Sequence, residues 1–216
     1  MNTQSRQTEI DHLVVTARTL AEGMAWVSER LGVSMMPRVG GKHIRMGTHN
    51  ALLSLGPGAY LEVIAIDPAA PSPGRARWFA LDGLSTDTSP RLAHWVVRSN
   101  DIEASALASP IDPGRVENMR RAGLRWLITV APDGSMACDG LMPSLIQWQT
   151  RPHPAAILPE RGCRLRRLEL HHPRGRELTQ VMQAIYLNPE QVSVQEAEQP
   201  RLAAVILTPD GERVLG

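Results

Sequence analysis

Residues 41–67, GKHIRMGTHNALLSLGPGAYLEVIAID, decide the fold of this chain. They predict two strands, over residues 50–55 and 60–66, separated by Gly56-Pro57-Gly58. Glycine and proline are the residues that most strongly favour a tight turn between strands. The segment therefore predicts a β-hairpin, and the rest of the chain can be arranged around it.

The second strand of this hairpin contains a carboxylate where an apolar residue is expected. Its side chains alternate between two faces, with Tyr60, Glu62, Ile64 and Ile66 on one face and Leu61, Val63 and Ala65 on the other. An unpaired charge buried between apolar faces costs several kcal/mol or more. Glu62 must therefore be protonated, bind a metal ion or pair with a base such as Arg45 or Arg125.

Composition limits the class of protein. The 216 residues are 43% hydrophobic and 21% charged, which is enough for one large domain or two small ones. A net charge of +1, with acids and bases interspersed, predicts neither a nucleic-acid partner nor a membrane partner. Two cysteines without CxxC spacing, a polar start and no long apolar run predict a soluble cytoplasmic protein with free thiols.

The residues before the hairpin predict a strand and a helix. Residues 10–16 form the strand, and Thr19 with Glu22 makes a capping box at the start of the helix. Gly32 supplies its left-handed stop. A further strand is expected near residues 33–36. The first unit, residues 8–67, therefore has the order strand, helix and three strands.

A second, similar pattern follows a linker. Residues 68–90 are rich in Pro, Ala, Gly, Ser and Asp, with Trp78, Phe79 and Leu81 as apolar anchors. Residues 91–150 then predict a strand at 92–97, a short helix at 102–108, and strands at 124–130 and 144–149. The first pattern is thus repeated.

The repeat places polar residues in corresponding strands. Glu62 follows His12 by 50 positions, and Gln147 follows His94 by 53. If the two copies pack face to face about a pseudo-twofold axis, these four side chains converge. Imidazole and carboxylate groups suit a divalent metal such as zinc, nickel, iron or manganese, and an amide oxygen is a weaker ligand.

Four segments carry a family resemblance: IDHLVV, GTHNALLSLGPGAYLEVIAID, AHWVV and LIQWQ. Over residues 8–150 they resemble glyoxalase-like members of the vicinal oxygen chelate superfamily. The resemblance implies an α+β fold of paired βαβββ modules, whose curved mixed sheets enclose a cavity. It also implies a metal site formed by His12, Glu62, His94 and Gln147.

The resemblance implies a metal-dependent enzyme of the lyase or isomerase type, acting on a small oxygen-chelating substrate. Gln147 stands where glyoxalase I has a glutamate that also acts as the base, so the general base is unassigned. A ring-cleaving dioxygenase is an alternative, although those enzymes carry the carboxylate in the second module. A metal-free protein of the antibiotic-sequestering type, and a dimerising module without activity, are further alternatives.

Two predictions concern the remaining chain. Residues 164–216 predict a partial βαββ repeat in which Leu168 replaces His12, which makes this part a scaffold or a homodimer contact. Asn50 and His49, in the strand before the turn, are predicted to bind substrate. For Asn50, capping of a turn is an equal alternative.

Overall fold

The computed structural model describes residues 8–36 and 40–216. The strands are β1 (Thr8–Thr16), β2 (Gly40–His43), β3 (Thr48–Ser54), β4 (Tyr60–Ile66), β5 (Arg91–Ser99), β6 (Arg115–Arg121), β7 (Leu124–Val130), β8 (Ser144–Trp148), β9 (Arg164–His172), β10 (Val192–Glu196), β11 (Arg201–Thr208) and β12 (Gly211–Leu215). The α-helices are α1 (Leu20–Leu31), α2 (Ile102–Ala108), α3 (Pro154–Ile157) and α4 (Gly175–Ala184). None of these helices has both the length and the apolar character of a membrane span.

Eight strands form one curved sheet in the order β2-β3-β4-β1-β5-β8-β7-β6. In each half the first strand pairs in parallel with the last, β1 with β4 and β5 with β8. The two halves join through the antiparallel pair of β1 and β5. This arrangement confirms the predicted α+β fold of paired βαβββ modules.

Local sequence signals account for the first module. The Thr19 hydroxyl accepts a hydrogen bond from the Glu22 backbone N–H at 3.2 Å and caps α1, as the capping box predicts. Gly32 ends the helix at φ 67°, a left-handed conformation that glycine adopts without strain. The hairpin of β3 and β4 pairs in register from Thr48 opposite Ile66 to Ser54 opposite Tyr60.

Two strand predictions differ from the structure. Residues 33–36 have no regular secondary structure, because the free edge of β3 is instead paired by Gly40–His43. Residues 37–39 lie outside the described residues. The second difference is β6, whose sequence RVENMRR lacks the apolar alternation that marks a half-buried strand.

The two faces of the large sheet pack against different partners. Its outer face packs with α1, α2 and the C-terminal sheet in the largest apolar core, which includes Leu13, Val63, Trp95 and Leu145. Its concave inner face surrounds a second apolar cluster, to which the linker contributes the buried residues Trp78, Phe79 and Leu81. Buried polar residues, among them His12, Asn50 and Glu62, lie beside this inner cluster.

The C-terminal residues form a separate four-stranded sheet in the order β10-β9-β11-β12. It contains the predicted βαββ run and adds β12 at one edge. Its first strand, β9, pairs in parallel with β10, the second strand of the repeat, and antiparallel with β11. In the first module, β1 instead pairs in parallel with β4, the last strand of that module. Leu168 of β9 is fully buried in the outer core.

Leu168→Ala is expected to lower the free energy of unfolding by about 2–5 kcal/mol, because the substitution leaves a cavity in a packed core. Chemical denaturation of the full chain measures this change. Leu107→Ala is the matched control, since Leu107 is 89% exposed, and it should leave the free energy of unfolding nearly unchanged. Equal effects of the two substitutions would contradict the core position of Leu168.

Candidate active site

A β-bulge in β1 brings two neighbouring residues to the same side of the strand. Ile10 pairs with Val97 and His12 with Val96, so Asp11 is an extra residue without a partner on β5. A bulge of this kind re-aims side chains that would otherwise alternate. As a result, Asp11 Oδ1 lies 2.7 Å from His12 Nδ1.

Asp11 is fully buried and its carboxylate is fully hydrogen-bonded. Besides His12, Oδ2 accepts from Trp148 Nε1 at 2.9 Å and from His153 Nε2 at 2.8 Å. His153 Nδ1 accepts from the Ala155 backbone N–H, which leaves Nε2 as the donor. Burial opposes ionisation of Asp11, but the bonds from His12 and His153 outweigh it, and its pKa lies well below the usual range.

Glu62 has the partners that its burial requires. Its carboxylate is 5% exposed, with Oε2 lying 3.5 Å from His12 Nε2 and Oε1 2.5 Å from Asn50 Nδ2. Of the bases considered from the sequence, Arg45 instead pairs with Glu117 at 2.6 Å. The imidazole of His12 thus lies between two buried carboxylates.

Asn50 is oriented by a bond network that reaches across the sheet. Its Oδ1 accepts from the Gly41 backbone N–H at 2.8 Å and from Arg121 Nη1 at 2.6 Å, so Nδ2 must face Glu62. Arg121 comes from β6, at the opposite end of the eight-stranded sheet. The Nη1 atom of Arg121 also lies 3.3 Å from His43 Nε2. Burial and the Arg121 charge hold the pKa of His43 well below its usual value, so His43 is a neutral acceptor.

These side chains line a small cavity on the concave face of the sheet. The space open to the centre of a water molecule is about 20 Å³, enough for one water. Five aromatic residues complete the wall: Tyr60, Trp78, Phe79, Trp126 and Trp148. Tyr60 stacks on His12, with 4.6 Å between ring centroids. Burial and the charges of Asp11 and Glu62 raise the pKa of Tyr60 well above its usual value.

The second module has a neutral counterpart of this arrangement. Glu62 pairs with Val14, and the corresponding Val96 pairs with Ser144, so Ser144 occupies the position equivalent to Glu62. A matching bulge in β5 contains Ala93 where β1 has Asp11. The second histidine therefore has no carboxylate in either of the two equivalent positions.

Both ring nitrogens of His94 are hydrogen-bonded. Nδ1 lies 2.9 Å from the Gly140 carbonyl oxygen, and Nε2 lies 2.9 Å from Ser144 Oγ and 3.2 Å from the Ser144 backbone nitrogen. Burial lowers the pKa of His94 to about 4, so the ring is neutral near pH 7. In this neutral ring Nδ1–H donates to Gly140 and Nε2 accepts from Ser144.

The structure does not bring Gln147 and His49 to the cavity. Gln147 Oε1 accepts from the Ile102 backbone N–H at 2.8 Å, at the start of α2 on the outer side of the sheet. His49 precedes Asn50 in β3 and so lies on the opposite face, with its pKa lowered by partial burial. Of the residues predicted from the sequence, His12, Glu62 and Asn50 are brought together.

The side chains at the cavity do not fit a divalent metal ion. In the described ranges, 8–36 and 40–216, no group of three or more His, Cys, Asp and Glu residues is placed to hold one. Of the four predicted metal ligands only His12 and Glu62 lie at the cavity, while His94 uses both nitrogens elsewhere. The third imidazole of the region, His43, has its Nε2 3.3 Å from the cationic Arg121. The guanidinium of Arg121 contributes a permanent positive charge at the same cavity.

Several residues of this site carry no clear signal in the sequence. Asp11 adjoins His12, but strict alternation would place their side chains on opposite faces. Arg121 lies in the polar strand β6, which lacks a strand pattern, and it reaches Asn50 only through the curvature of the sheet. Asp11 is the one of these residues that the sequence could have indicated, because it is an acid next to His12.

The low pKa of His94 predicts a pH-dependent stability. As the pH falls from 6.5 to about 4, the unfolded chain takes up a proton before the folded chain does. At about 1.4 kcal/mol per pH unit, the free energy of unfolding should fall by up to about 3 kcal/mol across this window. Below it, this contribution levels off.

His94→Gln should remove this part of the pH dependence while leaving the parallel contribution of His43 in place. Urea denaturation of both proteins across the same pH window measures the difference between the two slopes. Identical slopes would show that His94 does not titrate with the lowered pKa.

Comparisons with known proteins agree with this architecture. A family model described as "Glyoxalase-like domain" matches residues 10–186. A hypothetical protein from Staphylococcus aureus has a similar structure, with a TM-score of 0.58 and 14% identity over 96% of this chain and 84% of that chain. A search of curated proteins gave no match.

Two methylmalonyl-CoA epimerases align less closely. The enzyme from Mycobacterium tuberculosis has a TM-score of 0.43 and 17% identity over 68% of this chain and 91% of its own. A Streptomyces coelicolor enzyme has a TM-score of 0.45 and 17% identity over 66% and 97%, respectively. The chain belongs to the glyoxalase-like domain family.

Proposed function

We propose that this chain is an enzyme that transfers a proton at a carbon atom of a small substrate, next to a carbonyl or carboxylate group. One observation carries the proposal. The buried carboxylate of Glu62 lies in a cavity beside His12 Nε2 and the Asn50 amide, with the cationic Arg121 at the same wall. A base and a positive charge at one small cavity suit the formation of an enolate.

In this reaction Glu62 is the general base. Its carboxylate takes the proton as the C–H bond breaks, and the electron pair moves into the carbonyl group to form an enolate oxygen. The Arg121 guanidinium stabilises this negative charge. Return of the proton from Glu62 to a neighbouring carbon, or donation of a proton to the opposite face of the same carbon, completes an isomerisation.

His12 is the second proton carrier and Asp11 positions it. The bond from Nδ1 to Asp11 Oδ1, at 2.7 Å, leaves Nε2 facing Glu62. A proton can therefore pass between the carboxylate and the ring, which allows donation to a different face of the substrate. The Asn50 amide holds Glu62 in place by donating a hydrogen bond from Nδ2 to Oε1.

The amide variant Glu62→Gln is expected to reduce proton transfer by about 10²–10⁴-fold, because an amide cannot accept the proton. The protein is incubated in D₂O with a panel of small 2-oxo acids and their esters, and deuterium uptake at the carbon next to the carbonyl is followed by NMR. Glu29→Gln, on the exposed side of α1, is the matched control and should retain the wild-type rate.

Equal exchange in the Glu62→Gln variant and the wild type would contradict the role of Glu62 as base. A non-catalytic binding protein is the second candidate, favoured by the five aromatic side chains at the cavity. Saturable binding of a panel compound without any exchange would support that candidate instead.

The metal-dependent enzyme predicted from the sequence can be separated from this proposal by elemental analysis. With only His12 and Glu62 as ligands, purified protein should contain no stoichiometric zinc, nickel, iron or manganese, and a chelator should not change the exchange rate. One ion per wild-type chain that is lost in the His12→Ala variant would overturn the proposal. It would support the metal-dependent lyase in its place.

A further inference from the structure

A basic groove lies where the two ends of the eight-stranded sheet approach each other. We call this region the seam. It contains β2 and the turn after it on one side, and the hairpin of β6 and β7 on the other. The groove offers about 890 Å³ to the centre of a water-sized sphere, a size typical of small-molecule sites. Its cationic lining residues are Lys42, Arg45, Arg120, Arg121 and Arg125.

Neighbouring acids neutralise only part of this charge. Lys42 pairs with Asp67 at 2.8 Å, and Arg45 shares the Glu117 carboxylate with Arg75. Within residues 8–36 and 40–216 no carboxylate lines the groove itself. Because the whole chain has a net charge of only +1, the groove concentrates positive charge at one place.

Two arginines of the groove lie directly opposite each other, which is an unfavourable arrangement. Arg120 of β6 pairs directly with Arg125 of β7, and both side chains are exposed. Like charges directly opposite each other on neighbouring strands are destabilising. A bound anion would remove this repulsion.

Arg121 connects the groove with the cavity that contains Glu62, since it lines both. Its hydrogen bonds to described residues, Asn50 and His43, come from Nη1 alone. Nε and Nη2 therefore remain for a ligand. Gly41 allows the side chain to cross the seam, because a Cβ there would lie 2.9 Å from Arg121 Cδ.

The groove also has an apolar part, to which Ile44 contributes a side chain that is 79% exposed. An organic anion with a phosphate group and an apolar portion fits this combination. Guanidinium groups bind phosphate through two parallel hydrogen bonds, which makes arginine the preferred residue for such recognition.

We propose that the seam groove binds the phosphate-bearing part of the substrate and holds it at the entrance to the Glu62 cavity. This inference rests on the proposed proton-transfer function, to which it adds the substrate class. Arg120 and Arg125 bind the phosphate, and Arg121 reaches it with Nε and Nη2 while Nη1 keeps its hydrogen bond to Asn50 at the Glu62 cavity. Arg121 thereby links the bound phosphate to the Glu62 cavity, since it lines both the groove and the cavity.

Isothermal titration of the full chain with inorganic pyrophosphate tests the groove. Wild-type protein should show saturable binding that weakens with salt, and the double variant Arg120→Ala/Arg125→Ala should bind at least about tenfold more weakly. Arg115→Ala is the matched control, since Arg115 is exposed on the same strand β6 but lies away from the groove. It should retain the wild-type affinity.

The folding of each variant is checked by thermal unfolding. The double variant should be at least as stable as the wild type, because it removes the cross-strand repulsion. Absence of saturable binding by wild-type protein, or an equal loss in Arg115→Ala, would overturn the proposal. Glu62→Gln should bind pyrophosphate at least as tightly as the wild type, so failure of the proton-transfer function and failure of the groove are distinguishable.

Discussion

The inner face of this sheet depends on the pairing of two buried carboxylates with one imidazole. Asp11 and Glu62 lie on either side of His12, and each would cost several kcal/mol if it were left charged without partners. The bulge at Asp11, the amide of Asn50 and the arginine from the far end of the sheet all serve this network. The proposed proton transfer uses the same side chains that stabilise the two buried carboxylates.

The two modules differ in the charge of the residues around their histidines. Both halves keep a histidine before a pair of valines and both keep the bulge, but the second half has Ala93 and Ser144 in the acidic positions. His94 is consequently neutral and bonded on both nitrogens. The other half contains the carboxylates of Asp11 and Glu62, on which the proposed proton transfer depends.

In the described part of the chain, the two ends of the eight-stranded sheet are joined by side chains rather than by a ladder of backbone hydrogen bonds. A fully hydrogen-bonded barrel would have no free edge, whereas here side chains such as Arg121 and Arg45 bridge the two ends. Side chains can change rotamer without breaking a ladder of backbone bonds. The seam therefore consists of side-chain contacts, and its groove is lined by several cationic residues.

The sequence by itself determined most of the helices and strands, and the need of Glu62 for a partner. Alternation located the β3–β4 hairpin, capping residues located α1, and the apolar faces around Glu62 required that its carboxylate be paired, protonated or bound to a metal ion. The duplicated pattern predicted the paired modules, and the α+β fold was confirmed. These features depend on neighbours within a few residues, where backbone geometry has fixed periods.

Only the tertiary structure decided which residues meet. One extra residue in β1 places Asp11 beside His12, and the parallel register of β5 and β8 puts Ser144, rather than Gln147, opposite Val96. Arg121 reaches Asn50 from a strand whose polar sequence lacks a strand pattern. Bulges, register and sheet curvature depend on pairing between distant segments, and the spacing of residues along one chain does not contain that information.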